Sequence, residues 1–574
     1  MSEPDPRYPL DRPHRRRVAG ALGLIVLAGG ALLAQAQAPA PHAQDDRAQR
    51  IDSYLRSAYS AQEPGAAVIV VDDGQVVLRE GYGLANVELG VPIEPEMVFR
   101  IGSVTKQFTA VAALLLVQEG KLALDDGITK YLPDFPTHGK KITVEHLLTH
   151  TSGIKSYTSL PEWQTHWRED MTLEQLVALF KDQPMDFAPG EKWLYNNSGY
   201  VLLGAVLEKA SGQSYEELLR SRIFAPLGMK RTGYGHTTPI VPGRVAGYQR
   251  TPSGWENASY LSMTQPYAAG ALVSTVDDLA LWNAALDGGK LLPKELLARA
   301  WTSSKLTDGK ATGYGYGWGV ADWRGHHFEE HGGGIHGFQS YALREPRAGL
   351  FVAVLSNALG REPDPDTVAT KVALLALGES IDDPPVVKLA PEVLDRYTGV
   401  YRIDETTTRV VSREGDRLFT QRTGGEKLEA LPFSETEFFY RDSLERASFR
   451  RDASGKVTGM VLHHRQGGDE EAVKTEEAPP AKRVAVRVAP EILARYVGEY
   501  ELFPGFTIVV TQEGEKLFAQ ATGQPRFELF AESETKFFLE VVDAQTDFVV
   551  DAAGAVTGLV LHQGGRDMPG KKIK

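Results

Sequence analysis

The chain is 574 residues long, too long for one core and enough for about three to four domains. Its 42% hydrophobic and 24% charged residues are those of ordinary globular protein. A net charge of −13, with no long basic stretch beyond the N-terminus, argues against nucleic acid or an anionic membrane as the main partner; with no cysteine, disulfides, thiolate catalysis and Cys-ligated metals are excluded.

Residues 1–36 read as a signal peptide. Arg7, Arg12 and Arg15-Arg16-Arg17 form a basic region, the apolar stretch Val18 to Ala34 follows, and small-residue sites end it at Ala34-Gln35-Ala36 and Ala36-Gln37-Ala38. An uncleaved anchor is the alternative, since about 17 to 25 apolar residues span a bilayer. Gly20, Gly23, Gly29 and Gly30 and the cleavage-like end favour removal. The expected location is the periplasm or the cell exterior, with no stable membrane span after signal removal.

After a linker at Pro39 to Gln44, Asp45 to Ala61 reads as a helix, and Ala66 to Ala85 as a hairpin. Its strands are Ala67 to Val71 and Val76 to Arg79, and Asp72-Asp73-Gly74 is the turn between them. Helical periodicity follows over Val104 to Gln118, Leu173 to Lys181, Tyr200 to Ala210 and Leu279 to Leu286. Strand character returns at Tyr316 to Val320, Phe338 to Leu343 and Leu350 to Leu355. The pattern predicts a sheet drawn from both ends of one α+β domain, residues 46–380, with a helical region inserted. A helix over Pro365 to Gly378 then leads to a boundary at Asp382-Asp383-Pro384-Pro385.

Beyond it the chain repeats. Pro391, Tyr397, Gly399, Tyr401, Phe438, Phe439, Gly459 and His463 recur 99 residues later as Pro490, Tyr496, Gly498, Tyr500, Phe537, Phe538, Gly558 and His562. Short alternating strands in each copy predict two small all-β domains, barrel or sandwich, at 386–466 and 483–574. The stretch Gly467 to Lys482 reads as the joiner. Neither copy gathers a nucleophile, base and acid, so both read as accessory.

Three short motifs carry chemistry. Ser103-Val104-Thr105-Lys106 opens a helix with serine and lysine one turn apart on one face. A buried lysine of depressed pKa can take the serine's proton, and the helix N-terminus favours developing negative charge. Alone, the motif also fits an N-cap serine beside a solvated lysine. Tyr195-Asn196-Asn197 sends a phenol and an amide the same way from an extended segment. The phenol exchanges a proton if a cation holds its pKa below about 10. His331-Gly332-Gly333-Gly334 leads into the strand at Phe338, and its glycines let a substrate backbone approach the sheet edge.

Together with Phe99-Arg100-Ile101-Gly102 and His146-Leu147-Leu148-Thr149-His150-Thr151-Ser152-Gly153, these segments resemble the motif series of class C β-lactamases and the related D-alanyl-D-alanine carboxypeptidases, D-aminopeptidases and esterases. The resemblance covers about residues 46–380. It implies a β-lactamase/penicillin-binding-like fold with Ser103 as acylated nucleophile and Lys106 and Tyr195 as coupled acid and base. It implies Asn197 as partner of substrate and lysine, His331, Gly332 and Gly333 along the substrate, and the N–H groups of Ser103 and Gly334 as oxyanion hole. His150 would be a packing histidine.

One position departs from that pattern. Where such β-lactamases have the lysine of a K-T-G triad, this chain has His331, which is largely neutral near pH 7. The expectation is therefore a hydrolase of small amides, D-amino-acid peptides or esters, with no cofactor and no metal. A dedicated β-lactamase, or a silent binding protein on the same fold, is the alternative. A zinc reading of His327-Phe328-Glu329-Glu330-His331 fails, because that pattern works only on a helix and Gly332-Gly333-Gly334 follows at once. The sequence names neither a substrate nor an oligomeric state.

Overall fold

The computed structural model describes residues 46–574 apart from 252, 442, 466–467, 479–482, 504–505, 523 and 565. The signal-peptide expectation lies outside these residues. Among the described residues, no helix is long and apolar enough to cross a membrane.

The catalytic-type domain begins with α1 (Arg47–Ala58) and the hairpin β1 (Ala66–Asp72) and β2 (Gln75–Tyr82). The helical region contains α2 (Thr105–Gln118) and α3 (Asn197–Ser211). The chain then returns to the sheet as β3 (Gly319–Trp323), β4 (His326–Ile335), β5 (Phe338–Glu345) and β6 (Leu350–Ser356), and α4 (Pro365–Ala376) follows. The six strands lie in the order β3-β4-β5-β6-β1-β2, so the first hairpin pairs with the last strand, as the two-ended sheet required. β1 and β6 are buried on both faces and read as continuous Val, Ile, Leu and Ala runs. One face of the sheet packs on α1 and α4, and the other on the helical region.

Two local expectations change. The strand expected at Tyr316 to Val320 runs instead over Gly319–Trp323, because it pairs with β4 from Glu330 to His326. The glycine-rich segment, expected only to lead into the strand at Phe338, is itself strand: Gly332 to Gly334 lie inside β4, paired to Tyr341, Ser340 and Gln339. Glycine serves close approach there, since a Cβ on Gly333 would stand 2.0 Å from the Ile101 carbonyl oxygen. The segment His327 to His331 is likewise strand.

Each C-terminal repeat is a closed antiparallel barrel of eight strands, with consecutive strands adjacent and the last paired to the first. The recurring residues have visible work. Tyr397 and Tyr496 donate to the carbonyls of Glu435 and Glu534, and Tyr401 and Tyr500 to those of Tyr397 and Tyr496. Gly459 and Gly558 face a backbone carbonyl at 2.7 and 2.5 Å from where a Cβ would stand. The first barrel also takes Asp469–Lys474 as its eighth strand, although that stretch read as joiner. Closing the barrel edge there satisfies backbone groups that polar composition does not announce.

Candidate active site

Ser103 lies in a 3₁₀ turn, Gly102–Val104, that feeds directly into α2. From Thr105 to Leu116 every residue of α2 is buried, as for a helix enclosed on all sides. Lys106 is therefore fully buried one turn beyond the serine. Its Nζ is 3.0 Å from Ser103 Oγ, 2.9 Å from Asn197 Oδ1 and 2.8 Å from the Ala269 carbonyl oxygen. Burial holds its pKa well below the usual lysine range. A neutral amine has two hydrogens and one lone pair. The carbonyl oxygens of Asn197 and Ala269 only accept, so in the neutral form they would take both hydrogens and turn the lone pair to Ser103, whereas the charged form donates to all three.

Asn197 is placed by its neighbour. Asn196 Oδ1 accepts from the Gly199 N–H at 2.8 Å and caps α3, so Asn197 becomes the first helical residue with its amide turned to Lys106. Its Nδ2 donates to Thr158 Oγ1 at 3.1 Å. Tyr195 precedes this cap. Its ring centroid is 4.7 Å from Lys106 Nζ, and its buried hydroxyl has no partner at hydrogen-bond geometry. The nearby Ser103 hydroxyl draws the phenol's pKa down, but burial is the larger effect and pushes it well above the usual tyrosine value. Lys106 lies against the Tyr195 ring, and burial outweighs what lowers the phenol.

β4 is pressed onto the serine turn. A Cβ on Gly102, whose φ is +49°, would meet Gly334 N at 3.0 Å, and Ser340 Oγ donates to the Ile101 carbonyl at 2.7 Å. Ser103 and Gly334 share a cavity of about 120 Å³, walled by Tyr157, Trp163, Leu261 and Ile335. Gly333 lies where a Cβ would collide with the Ile101 carbonyl, so its lack of a side chain seats the strand on the turn.

The "Beta-lactamase" family model matches residues 41–377, more than half of the chain. The chain belongs to the beta-lactamase family. A second family model, "Domain of unknown function (DUF3471)", matches both barrels, at residues 383–477 and 482–572. The chain is 27% identical to penicillin-binding protein 4* of Bacillus subtilis, over 71% of this chain and 94% of that one. It is 30% identical to a D-aminopeptidase of Gluconobacter oxydans, over 51% of this chain and 56% of that one. Among solved structures, the octameric penicillin-binding protein homologue from Pyrococcus abyssi superposes with a TM-score of 0.54 at 28% identity, covering 74% and 99% of the two chains. A D-amino acid amidase from Ochrobactrum anthropi SV3 does so with 0.52 at 26%, covering 58% and 99%.

In this beta-lactamase family member the position of the missing K-T-G lysine is fully committed within the protein. His331 Nδ1 donates to the Gly332 carbonyl at 2.6 Å, and its Nε2 accepts from the Tyr314 hydroxyl at 2.8 Å. Burial lowers its pKa to about 3, so it brings no cation. His331, Gly332, Tyr195, Tyr314 and Trp193 line a second, larger cavity of about 360 Å³.

His150 does more than pack. Its carbonyl accepts from the Leu194 N–H at 3.0 Å, and its Nδ1 from the Asn196 N–H at 3.1 Å, so it grips the backbone on both sides of Tyr195. The two rings are 4.4 Å apart. The Ala269 carbonyl, Thr158 and Tyr314 also shape the site and were not singled out in the sequence. None carries a motif, because their contribution depends on distant segments meeting.

Proposed function

We propose that this serine hydrolase is exported and acts through a covalent acyl-enzyme on small amides, D-amino-acid peptides or esters. The observation that carries the reading is the buried Lys106 amine, within hydrogen-bond reach of Ser103 Oγ and of two carbonyl acceptors, Asn197 and Ala269. Lys106 takes the Ser103 proton as Oγ attacks the carbonyl carbon. The N–H groups of Ser103 and Gly334 hold the oxyanion, a contribution of about 10²–10³ in rate for one such donor. Tyr195, still protonated, passes its proton to the leaving nitrogen or oxygen and recovers one from Lys106. Water then repeats the sequence in reverse on the acyl-enzyme.

The two cavities divide the substrate. Tyr195 must face the leaving group, and it lines the larger, aromatic cavity; Ser103 lines the smaller one. Among the described residues around the smaller cavity there is no Asp, Glu, Lys or Arg, which favours a neutral, apolar acyl group. His331, being neutral, gives a substrate carboxylate no fixed cation, and this favours amidase or esterase action over β-lactam hydrolysis. The D-amino acid amidase and D-aminopeptidase relatives support the same direction.

Covalent labelling by a fluorophosphonate tests the reading. Wild-type protein should label once and Ser103→Ala not at all, with an unchanged thermal transition. Equal labelling of both would reject Ser103, and no labelling of either would favour a silent binding protein. Parallel assays on a nitrophenyl ester, D-alanyl nitroanilide and a chromogenic cephalosporin rank the substrate classes.

A further inference from the structure

In the loop that joins the last two strands of the first barrel, Arg465 is buried. The loop delivers it to the hydrolase domain, where Arg465 Nη1 donates to Glu330 Oε1 at 2.8 Å and Nη2 donates to Glu330 Oε2. Both side chains are about 95% buried. The guanidinium carbon also lies 4.7 Å from the Phe328 ring centroid and 5.5 Å from that of Trp323. Two-pronged, aromatic-flanked and dry, this is arginine's preferred setting for binding a carboxylate.

Three further observations make this a built feature. Glu330 immediately precedes His331 on β4, and both line the larger cavity. Asp366 of α4 lies in the same buried cluster, with its carboxyl pushed up to about 7 by burial and by Glu330. Arg465 is thus the cation in a pocket that otherwise holds two acids. The repeats also differ at this place. Between His463 and its partner Asp469 lie residues 464–468, whereas between the equivalent His562 and Asp567 lie only 563–566, with Gly564 where the first copy has Arg465. The second barrel uses the same loop differently: Gln563 Nε2 donates to the Gly424 carbonyl at 3.4 Å, on a turn of the first barrel. The second barrel also meets the first through residues 541–543, where the Gly424 N–H donates to the Asp543 carboxylate, but this contact is exposed and that of Arg465 is buried.

We infer that the first barrel is a working part of the hydrolase: through Arg465 it supplies the buried counter-ion of Glu330 and so holds the strand bearing His331 and Gly334 against the Ser103 turn. Arg465 is a positioning residue, since it touches neither cavity of the site. Without it, the buried Glu330 carboxylate loses the guanidinium that grips both its oxygens, and the strand that carries it must shift to find other partners.

The test uses the full chain and the Ser103 reading only as a readout. The second-order rate of fluorophosphonate labelling is measured, per folded molecule, for wild type, Arg465→Met and Arg465→Lys, which keeps the charge but not the fork. We expect a drop of tenfold or more for Arg465→Met and a rate at least threefold higher than that for Arg465→Lys. Wild-type labelling by folded Arg465→Met, or Arg465→Lys as slow as Arg465→Met, overturns the positioning role. In parallel, a protease site placed at Pro384-Pro385 is cut in the folded chain. The halves should stay together on gel filtration and keep the labelling rate. Halves that separate, with the hydrolase half labelling undiminished, overturn the proposal even if Arg465→Met fails to fold. If uncut wild type never labels, the Ser103 reading fails, and co-elution of the halves still judges the docking.

Discussion

Around Lys106 the count of hydrogens decides the chemistry. Two carbonyl acceptors and one hydroxyl suit an amine that is neutral, and burial favours that form by lowering its pKa. Activity should therefore depend on deprotonating Lys106, so kcat/KM rises with pH through a lysine pKa lying well below 10.4 and then levels. No fall from Tyr195 ionisation is expected up to about pH 10, because burial raises the phenol. A pH–rate profile checks both limbs, and a sharp decline between pH 8 and 9 would contradict the protonated-donor role. Since Lys106 and Tyr195 serve one proton transfer, the losses from Lys106→Ala and Tyr195→Phe should not add in ΔΔG‡. A double variant showing the full sum would mean two independent roles.

Strand β4 and the serine turn form one joint, and two adjacent glycines differ in what they do for it. A Cβ at Gly333 would stand 2.0 Å from the Ile101 carbonyl oxygen and 2.5 Å from Ser340 Oγ, whereas at Gly334 it would meet nothing within 4 Å. Gly333→Ala must push the backbones apart, which typically costs about 1–3 kcal/mol for overpacking and moves the Gly334 N–H from Ser103. Gly334→Ala keeps its N–H and its space. Thermal melts and labelling rates should show the first variant destabilised and slowed at least tenfold, and the second within about 0.5 kcal/mol of wild type. A similar asymmetry holds at His150, which grips Tyr195 from both sides. His150→Asn keeps an acceptor near the Nδ1 position and suits the left-handed φ of +59°. It should retain more kcat than His150→Ala at equal KM.

Across the whole molecule the barrels are unequal. The first is tied to the hydrolase by a buried ion pair, while the second meets the first through glycine-rich turns and exposed contacts such as Gly424 N–H to Asp543. A chain ending after Glu477 should thus keep wild-type labelling and nearly the same melting of the hydrolase domain. One ending near Gly378 strands the Glu330 carboxylate and should lose stability by about 3–5 kcal/mol, the usual penalty for removing one partner of a buried pair. Calorimetry of the two truncations separates these cases. The described residues lining both cavities come from the hydrolase domain.

Much of this protein was legible in its sequence because the information was local. Hairpin turns, helical periodicity, the Ser103–Lys106 spacing and the recurrence of Tyr397 and Gly459 at Tyr496 and Gly558 each need only near neighbours or a repeated register. The motif order was enough for the α+β domain with two β repeats. What needed the tertiary structure was everything set by segments far apart in the chain. The Ala269 carbonyl that completes Lys106, the neutral state of His331, the protonated state of Tyr195 and the strand role of Gly332 to Gly334 all follow from burial and from which backbone lies alongside. Arg465 shows the limit most clearly. Its sequence neighbourhood is a polar loop, and only contact with Glu330, 135 positions away, turns it into a buried counter-ion. Solvation and charge pairing depend on who is near in space, and chain order does not encode that locally.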